Sequence, residues 1–367
     1  RSQEKANRLR VVCTSPEVIR VNAARFLDPF VEEIGAKRIV VDSITHFGRL
    51  GASPAEFREL LYRFISGLKM KRLTAFLIRE KEESAYSGGS SEEFMTDALI
   101  RLSFDLSKWQ SRCRYLEVLK SRGHPALSGK HMFRIGPGGV SVFPSPRVPE
   151  EIIKGEFPGR IGTGILGLDE MIGGGLIEGS STVVVGGPGS GRTTFCLQFL
   201  GEGVRRKEPG LFVSFHEKLH KIYATAHSYG MLDDLSAGEL FEAKYYSPIG
   251  LDVNEFFSRI ESAIRQKGIR RLAINSLTNL EYAIPSPALV GEYLYNLLGL
   301  FEMHRVTSLL TYGIGGSVGG QGPEYLRLPM VIDNAILLEH RIAGGRNKRF
   351  ISVVKMRMTA HEEAHRA

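Results

Sequence analysis

Cysteine is scarce in this 367-residue chain: Cys13, Cys113 and Cys196 are the only three, and they stand far apart. With no C-x-x-C pair, neither a disulfide framework nor a zinc site is indicated, and each thiol reads as a small buried hydrophobe. Long apolar runs are missing too. No stretch of about 18 apolar residues occurs, so no transmembrane helix is expected, and the charged opening Arg1-Ser2-Gln3-Glu4-Lys5 leads into no signal-peptide core. A cytoplasmic protein with no membrane partner is the expectation. The net charge of +8 is spread along the chain and forms no basic tail. The 43% hydrophobic and 24% charged residues are those of a soluble globular protein, long enough for two domains.

What the chain does have is Gly186-Gly187-Pro188-Gly189-Ser190-Gly191-Arg192-Thr193-Thr194. It follows the apolar run Thr182-Val183-Val184-Val185 and precedes the helical pattern Thr194 to Leu200, the strand-loop-helix setting that the phosphate-binding motif G-x-x-x-x-G-K-[ST] requires. Gly186, Gly189 and Gly191 let backbone N–H groups curl around a phosphate, and the helix that follows points its positive end at the anion. The motif places the hydroxyl of Thr193 to ligate Mg²⁺. At 192, however, the motif's Lys is Arg, which is planar and forked where Lys is compact. Phosphate binding is expected; hydrolysis does not follow. A nucleotide suffices to explain the positive charge, which leaves nucleic acid open.

A repeat at an offset of 233 to 235 residues organises the chain. Gly35-Ala36-Lys37-Arg38-Ile39-Val40-Val41-Asp42-Ser43 falls on Gly268-Ile269-Arg270-Arg271-Leu272-Ala273-Ile274-Asn275-Ser276, and Tyr115 to Arg122 falls on Phe350 to Arg357. The segment from Gly136 through Pro144, Pro146, Pro149 and Pro158 reads as a linker, with a boundary near 145 to 155. Residues 1–145 are therefore expected to be the C-terminal portion of a first copy and 146–367 the whole of a second. Subtracting the offset from the loop at 186 gives a position about 48 residues before Arg1, so the first copy's own phosphate loop is expected upstream. In the second copy, β-branched apolar runs alternate with helical patterns. This predicts an α/β fold whose mostly parallel sheet is flanked by helices on both faces, with its site at the carboxyl ends of the strands.

Four places at those strand ends bear chemistry. The run Arg271 to Asn275 is where a Walker B acid would hold Mg²⁺; here it is Asn275, whose carbonyl could accept from a metal-bound water but carries no charge. The first copy keeps Asp42 at that place. Glu217, after the strand Leu211 to Phe215, is the candidate general base if its loop turns inward, and a solvated acid otherwise. His216 is a candidate nucleotide contact, or a surface histidine. Lys355 and Arg357 alternate at the end of a strand, so both should face one way and suit the γ-phosphate of a neighbouring subunit's ATP; Lys120 and Arg122 repeat them.

These residues resemble the KaiC-like branch of the RecA superfamily. Thr163-Gly164 with Gly167-Leu168-Asp169 and Gly173-Gly174-Gly175-Leu176 is similar to that family's opening, Phe133 to Val140 to the end of a first KaiC domain, and Ile351 to Arg357 with His361-Glu362 to its closing strand. The resemblance implies tandem RecA-like P-loop domains in ATP-dependent, usually hexameric, homo-oligomeric rings, with nucleotide at subunit interfaces. The clock proteins of the family autophosphorylate an adjacent Ser-Thr pair shortly before the Asp matching Asp333. Those places are Pro329 and Met330 here, so that activity is not carried over. The family's Walker A Lys is Arg192, its Walker B Asp is Asn275, and the first of its two catalytic acids is His216. The favoured expectation is a regulatory or signalling ring whose second domain binds ATP with weak or no hydrolysis, acting on a protein partner the sequence does not identify. The alternatives are a working ATPase or serine-threonine autokinase, and a RecA-like DNA recombination or repair ATPase. Against the last, the loop Gly313 to Gly322 has no Lys or Arg until Arg327.

Overall fold

The computed structural model describes residues 8–49, 53–80, 95–106, 112–146, 159–231, 239–284, 286–314, 331–343, 346–359 and 366. The linker residues Pro149 and Pro158, the loop residues 315–322 with Arg327, Pro329 and Met330, and the His361-Glu362 pair lie outside them. The chain forms two compact units, Arg1–Arg101 with Val118–Ser128, and Leu102–Glu117 with Gly129–Ala367.

In the first unit, helix α1 (Pro16–Ile34) leads into strand β1 (Arg38–Asp42), a 3-10 turn (Ile44–Arg49), helix α2 (Pro54–Met70) and strand β2 (Thr74–Ile78). The two strands pair in parallel, Arg38 opposite Thr74 and Asp42 opposite Ile78. Leu61, Phe64 and Leu68, on one face of α2, bury against Ile44 and Leu73 as the 3.6-residue period requires. Strands β3 (Ala98–Leu106), β4 (Arg112–Ser121), β5 (Lys130–Gly136) and β6 (Gly139–Phe143) form a four-stranded sheet in chain order.

The second unit continues through β7 (Arg160–Ile161), α3 (Leu166–Met171), β8 (Leu176–Ile177), β9 (Ser181–Gly186), α4 (Arg192–Arg205), β10 (Gly210–Ser214), α5 (Leu219–Ser228) and β11 (Phe241–Tyr245). It ends with α6 (Val253–Lys267), β12 (Arg271–Asn275), α7 (Leu277–Ala283), α8 (Pro287–Met303), β13 (Thr307–Gly313), β14 (Asn334–Ala343) and β15 (Arg346–Lys355). Seven strands run in the order β11-β10-β12-β13-β9-β14-β15, all parallel except that β15 is antiparallel to β14. Period two divides the core. Val183, Val185, Leu211, Val213, Leu272, Ile274 and Leu310 face α6 and α8, while Val184, Phe212, Ala273 and Leu309 face α3, α4 and α5. A strand buried on both faces can be apolar throughout, which is why Val183-Val184-Val185 runs unbroken. The expected α/β architecture, a mostly parallel sheet flanked by helices, is the one found.

The repeat appears in elements as well as letters. Helices α2 and α8 are both 17 residues long, from Pro54 to Met70 and from Pro287 to Met303, each begun by a serine whose hydroxyl accepts a backbone N–H, Ser53 and Ser286. Helices α1 and α6 both end on a left-handed glycine, Gly35 at φ 59 and Gly268 at φ 60. Sequence copy and compact unit nevertheless differ. Residues 129–143, read as the end of the first copy, belong to the second unit, where Arg134 pairs at 2.6 Å with Glu255 on α6, whose side chain is only 8% exposed.

Candidate functional site

The phosphate loop sits at the carboxyl end of β9, the fifth of the seven strands, and so has a neighbouring strand on each side. Gly186 closes β9, Pro188 and Gly189 are exposed at the tip, and Gly191 leads into α4 with φ 97. Two glycines are dictated by space or backbone. A Cβ on Gly186 would stand 2.4 Å from the Ser190 hydroxyl, and Gly189 has φ 75. Ser190 is buried across the loop from Gly186, Arg192, Thr193 and Thr194 are half-buried at the helix start, and Gly187 is half-buried before the tip.

Around Thr193 four side chains form one directed chain of hydrogen bonds. Thr311 donates to the carbonyl of Asn275 at 2.7 Å, the amide of Asn275 donates to Thr193 Oγ1 at 3.1 Å, and the Thr193 hydroxyl donates to Glu217 Oε1 at 2.8 Å. Glu217 reaches inward because the turn after β10 is tied both ways to Ser214: Glu217 N–H donates to the Ser214 hydroxyl at 3.0 Å, which donates back to the Glu217 carbonyl at 2.6 Å. His216 is exposed. Of the two readings of Glu217, the inward one is the one observed.

Arg192 lies beside this chain. Its guanidinium rests against the end of β13, where a Cβ on Gly313 would come within 2.9 Å of Nη1. Burial pushes its pKa below the ordinary arginine value, opposed by the charge of Glu217, and an arginine stays protonated through such a shift. The β13 end is itself held by Gly313 N–H donating to Thr278 on α7 at 3.0 Å.

Two sequence expectations change here. The carbonyl of Asn275 accepts from Thr311, and the face Asn275 turns to Thr193 is the N–H donor, not the oxygen expected to accept from a metal-bound water. Lys355 and Arg357 were expected side by side on a strand, but β15 ends at Lys355 and Arg357 lies beyond it. The antiparallel pairing stops there, so strand alternation no longer sets where Arg357 points. Lys355 Nζ donates to the Ile332 carbonyl at 2.5 Å, and Arg357 Nη1 stands 3.5 Å from Asp333 Oδ1. Burial first, then the charge of Arg357, lowers the Lys355 pKa, while Asp333 opposes the shift. Ala335 pairs with both Lys355 and Val183, which sets Lys355 level with a residue three before Gly186, about 10 Å down the sheet from the loop. Lys355 thus lies two strands across the sheet from its own phosphate loop and below it along the strands.

Arg122 of the first copy, like Arg357, lies just past its strand and beside an aspartate. Asp42 is exposed at the end of β1, Lys120 is half-buried on β4, and Arg122, just past the strand, stands 3.8 Å from Asp97. A 3.0 Å hydrogen bond from Lys69 holds the Asp97 carboxyl below its ordinary pKa.

Sequence reasoning missed Thr311, Thr278 and Gly313. A hydroxyl residue two places before a glycine, at the end of the apolar run Leu309-Leu310, was the available signal for Thr311. It also missed why the opening motif has its residues: Asp169 Oδ1 accepts from Thr163 N–H at 2.8 Å and from the Thr163 hydroxyl at 2.7 Å, fixing the turn into α3.

The donor set suits a nucleotide phosphate better than a magnesium ion. Thr193 donates to Glu217 and accepts from Asn275, and the Asn275 oxygen already accepts from Thr311, so neither oxygen presents both lone pairs to a cation. An acid in the place of Asn275 would have supplied the negative charge that attracts the cation; here a neutral N–H donor faces the hydroxyl.

Comparison with known proteins gives the family. The family described as "ATPase: KaiC" matches residues 15–147 and 161–366. The chain is 26% identical over 340 residues to the circadian clock oscillator protein KaiC of Synechococcus elongatus, covering 92% of this chain and 64% of that protein. It is 32% identical over 339 residues to KaiC of Parathermosynechococcus lividus, covering 92% and 62%, and 31% identical over 339 residues to KaiC of Parasynechococcus marenigrum, covering 92% and 65%. The chain thus spans a little under two thirds of the length of these relatives. No helix among the described residues is long and apolar enough to cross a membrane. With the phosphate loop, the parallel sheet and the doubled family match in agreement, this chain belongs to the KaiC family of ATPases.

Proposed function

We propose that residues 146–367 form a nucleotide-holding domain that binds ATP where subunits of a homo-oligomeric, hexameric ring meet, with weak or no hydrolysis, and that the assembly is regulatory, passing a signal to a protein partner. One observation carries this reading: the Glu217 carboxylate, the acid best placed to activate water, is engaged by the Thr193 hydroxyl at 2.8 Å. A base spent on a protein hydroxyl has less capacity left for a water. Arg192 and Asn275 weaken the same site at the two places where a lysine and an acid would serve. Lys355 and Arg357, set back from their own loop, suit contact with the nucleotide of a neighbouring subunit. Bound ATP then acts as an assembly ligand, stabilising the associated state by RT ln(1 + [L]/Kd), about 2.7 kcal/mol at a hundredfold excess over Kd.

The full chain should bind ATP, yet release phosphate no faster than a protein-free control, and Glu217→Gln should leave that rate where it is. Turnover above background that Glu217→Gln removes would instead establish an active ATPase. An ATP-independent monomer in sedimentation velocity would remove the ring.

A further inference from the structure

The hydrogen-bond directions around Thr193 bear on which form of the nucleotide this site takes, an inference that rests on the nucleotide-binding reading above. A hydroxyl has one proton and two lone pairs. In Thr193 the proton goes to Glu217, an acceptor only, so the Thr193 oxygen is left to accept from the Asn275 N–H, and the Asn275 oxygen accepts from Thr311. A cation approaching Thr193 Oγ1 therefore meets an N–H dipole pointing its positive end toward the same oxygen. An acid there would accept from Thr193, take its proton from Glu217 and leave two carboxylates around one hydroxyl, a like-charge pair that a divalent cation relieves. With Asn275 the local charge is one carboxylate, Glu217, beside one guanidinium, Arg192, and no surplus negative charge calls for a metal. The guanidinium offers five donors in a planar fork suited to two phosphate oxygens, where the usual Lys offers a point charge beside a metal.

We propose that this site binds the metal-free nucleotide: Arg192, the loop N–H groups of Gly189, Gly191 and Thr193 and the start of α4 compensate the phosphate charge, and no Mg²⁺ is resident at Thr193. The Asn275 amide is what excludes the ion. Arg192 and Asn275 are thus one device, a fixed organic cation replacing a mobile inorganic one.

The test is the dissociation constant of ATP for the full chain by isothermal titration calorimetry, in excess Mg²⁺ and again in EDTA. The expected result is that removing Mg²⁺ weakens binding by less than about fivefold, and that Asn275→Asp raises that ratio to about tenfold or more, a total metal dependence of about 1.4 kcal/mol. A wild-type ratio above about fivefold overturns the inference while leaving nucleotide binding intact. So does an Asn275→Asp protein that folds and keeps the wild-type ratio. Failure to bind ATP under either condition overturns the nucleotide-binding reading itself. Because the wild-type ratio is decisive on its own, the inference stays testable even if Asn275→Asp does not fold.

Discussion

Arg192 stands at the position from which a lysine would reach a phosphate, yet its guanidinium lies against the backbone of Gly313. Truncating it to alanine removes the one side-chain cation in the loop. A charge-assisted hydrogen bond contributes about 1.5–3 kcal/mol, so Arg192→Ala should weaken ATP binding roughly 10- to 100-fold, measured by calorimetry on the full chain. Unchanged affinity would mean that the backbone cradle alone holds the phosphate. The exchange of lysine for arginine, and of acid for Asn275, could be read directly from motif spacing. The direction of the Asn275 amide could not, because it depends on Thr311, which is 36 residues away in sequence and adjacent only through the pairing of β12 with β13.

At the scale of elements, glycines separate into those required by space and those that are not. Gly175, at φ 123, would place a Cβ 2.4 Å from the Ile161 carbonyl, a backbone atom that cannot step aside. Gly167, inside α3, meets nothing within 4 Å. Gly175→Ala should therefore cost about 1–3 kcal/mol or more in urea unfolding, while Gly167→Ala should be neutral or raise stability by up to about 1 kcal/mol; equal effects would show that the close approach at Gly175 is not limiting. Helix pairing makes a second expectation. Tyr293 on α8 donates to Asn254 on α6 at 3.0 Å, and burial, then Asp252 and Glu292, push its phenol up to about 12. Only the neutral phenol suits the fold, and the unfolded chain ionises it near the ordinary value of about 10. Its stability contribution is thus intact below about pH 10 and lost as pH rises toward about 12. Denaturant midpoints across that window should fall more steeply for the wild type than for Tyr293→Phe; parallel curves would remove Tyr293 as the cause. Helix and strand positions were readable because burial imposes periods of 3.6 and 2 on the sequence. The short helices α3 and α7 were not, since six or seven residues are too few to show a period.

At the scale of the whole molecule, the proposed ring places the decisive contact between subunits. Arg357 is half exposed and stands 3.5 Å from Asp333, a surface pair of the kind that adds about 0–1 kcal/mol. Arg357→Ala should therefore leave the urea midpoint of the protomer nearly unchanged and abolish ATP-dependent assembly in sedimentation velocity; assembly that persists would remove Arg357 from the interface. The sequence by itself determined the repeat, the parallel α/β sheet, the phosphate loop and the substitutions at 192 and 275, because each is a local pattern set by backbone geometry or by periodic burial. Tertiary structure alone decided the rest: Glu217 turns in, Thr193 donates to Glu217, Asn275 presents its N–H, and Lys355 of the closing strand lies set back from its own loop. Hydrogen-bond direction is a property of the whole chain from Thr311 through Asn275 and Thr193 to Glu217, and those residues meet only once four separate strand ends are brought to one edge.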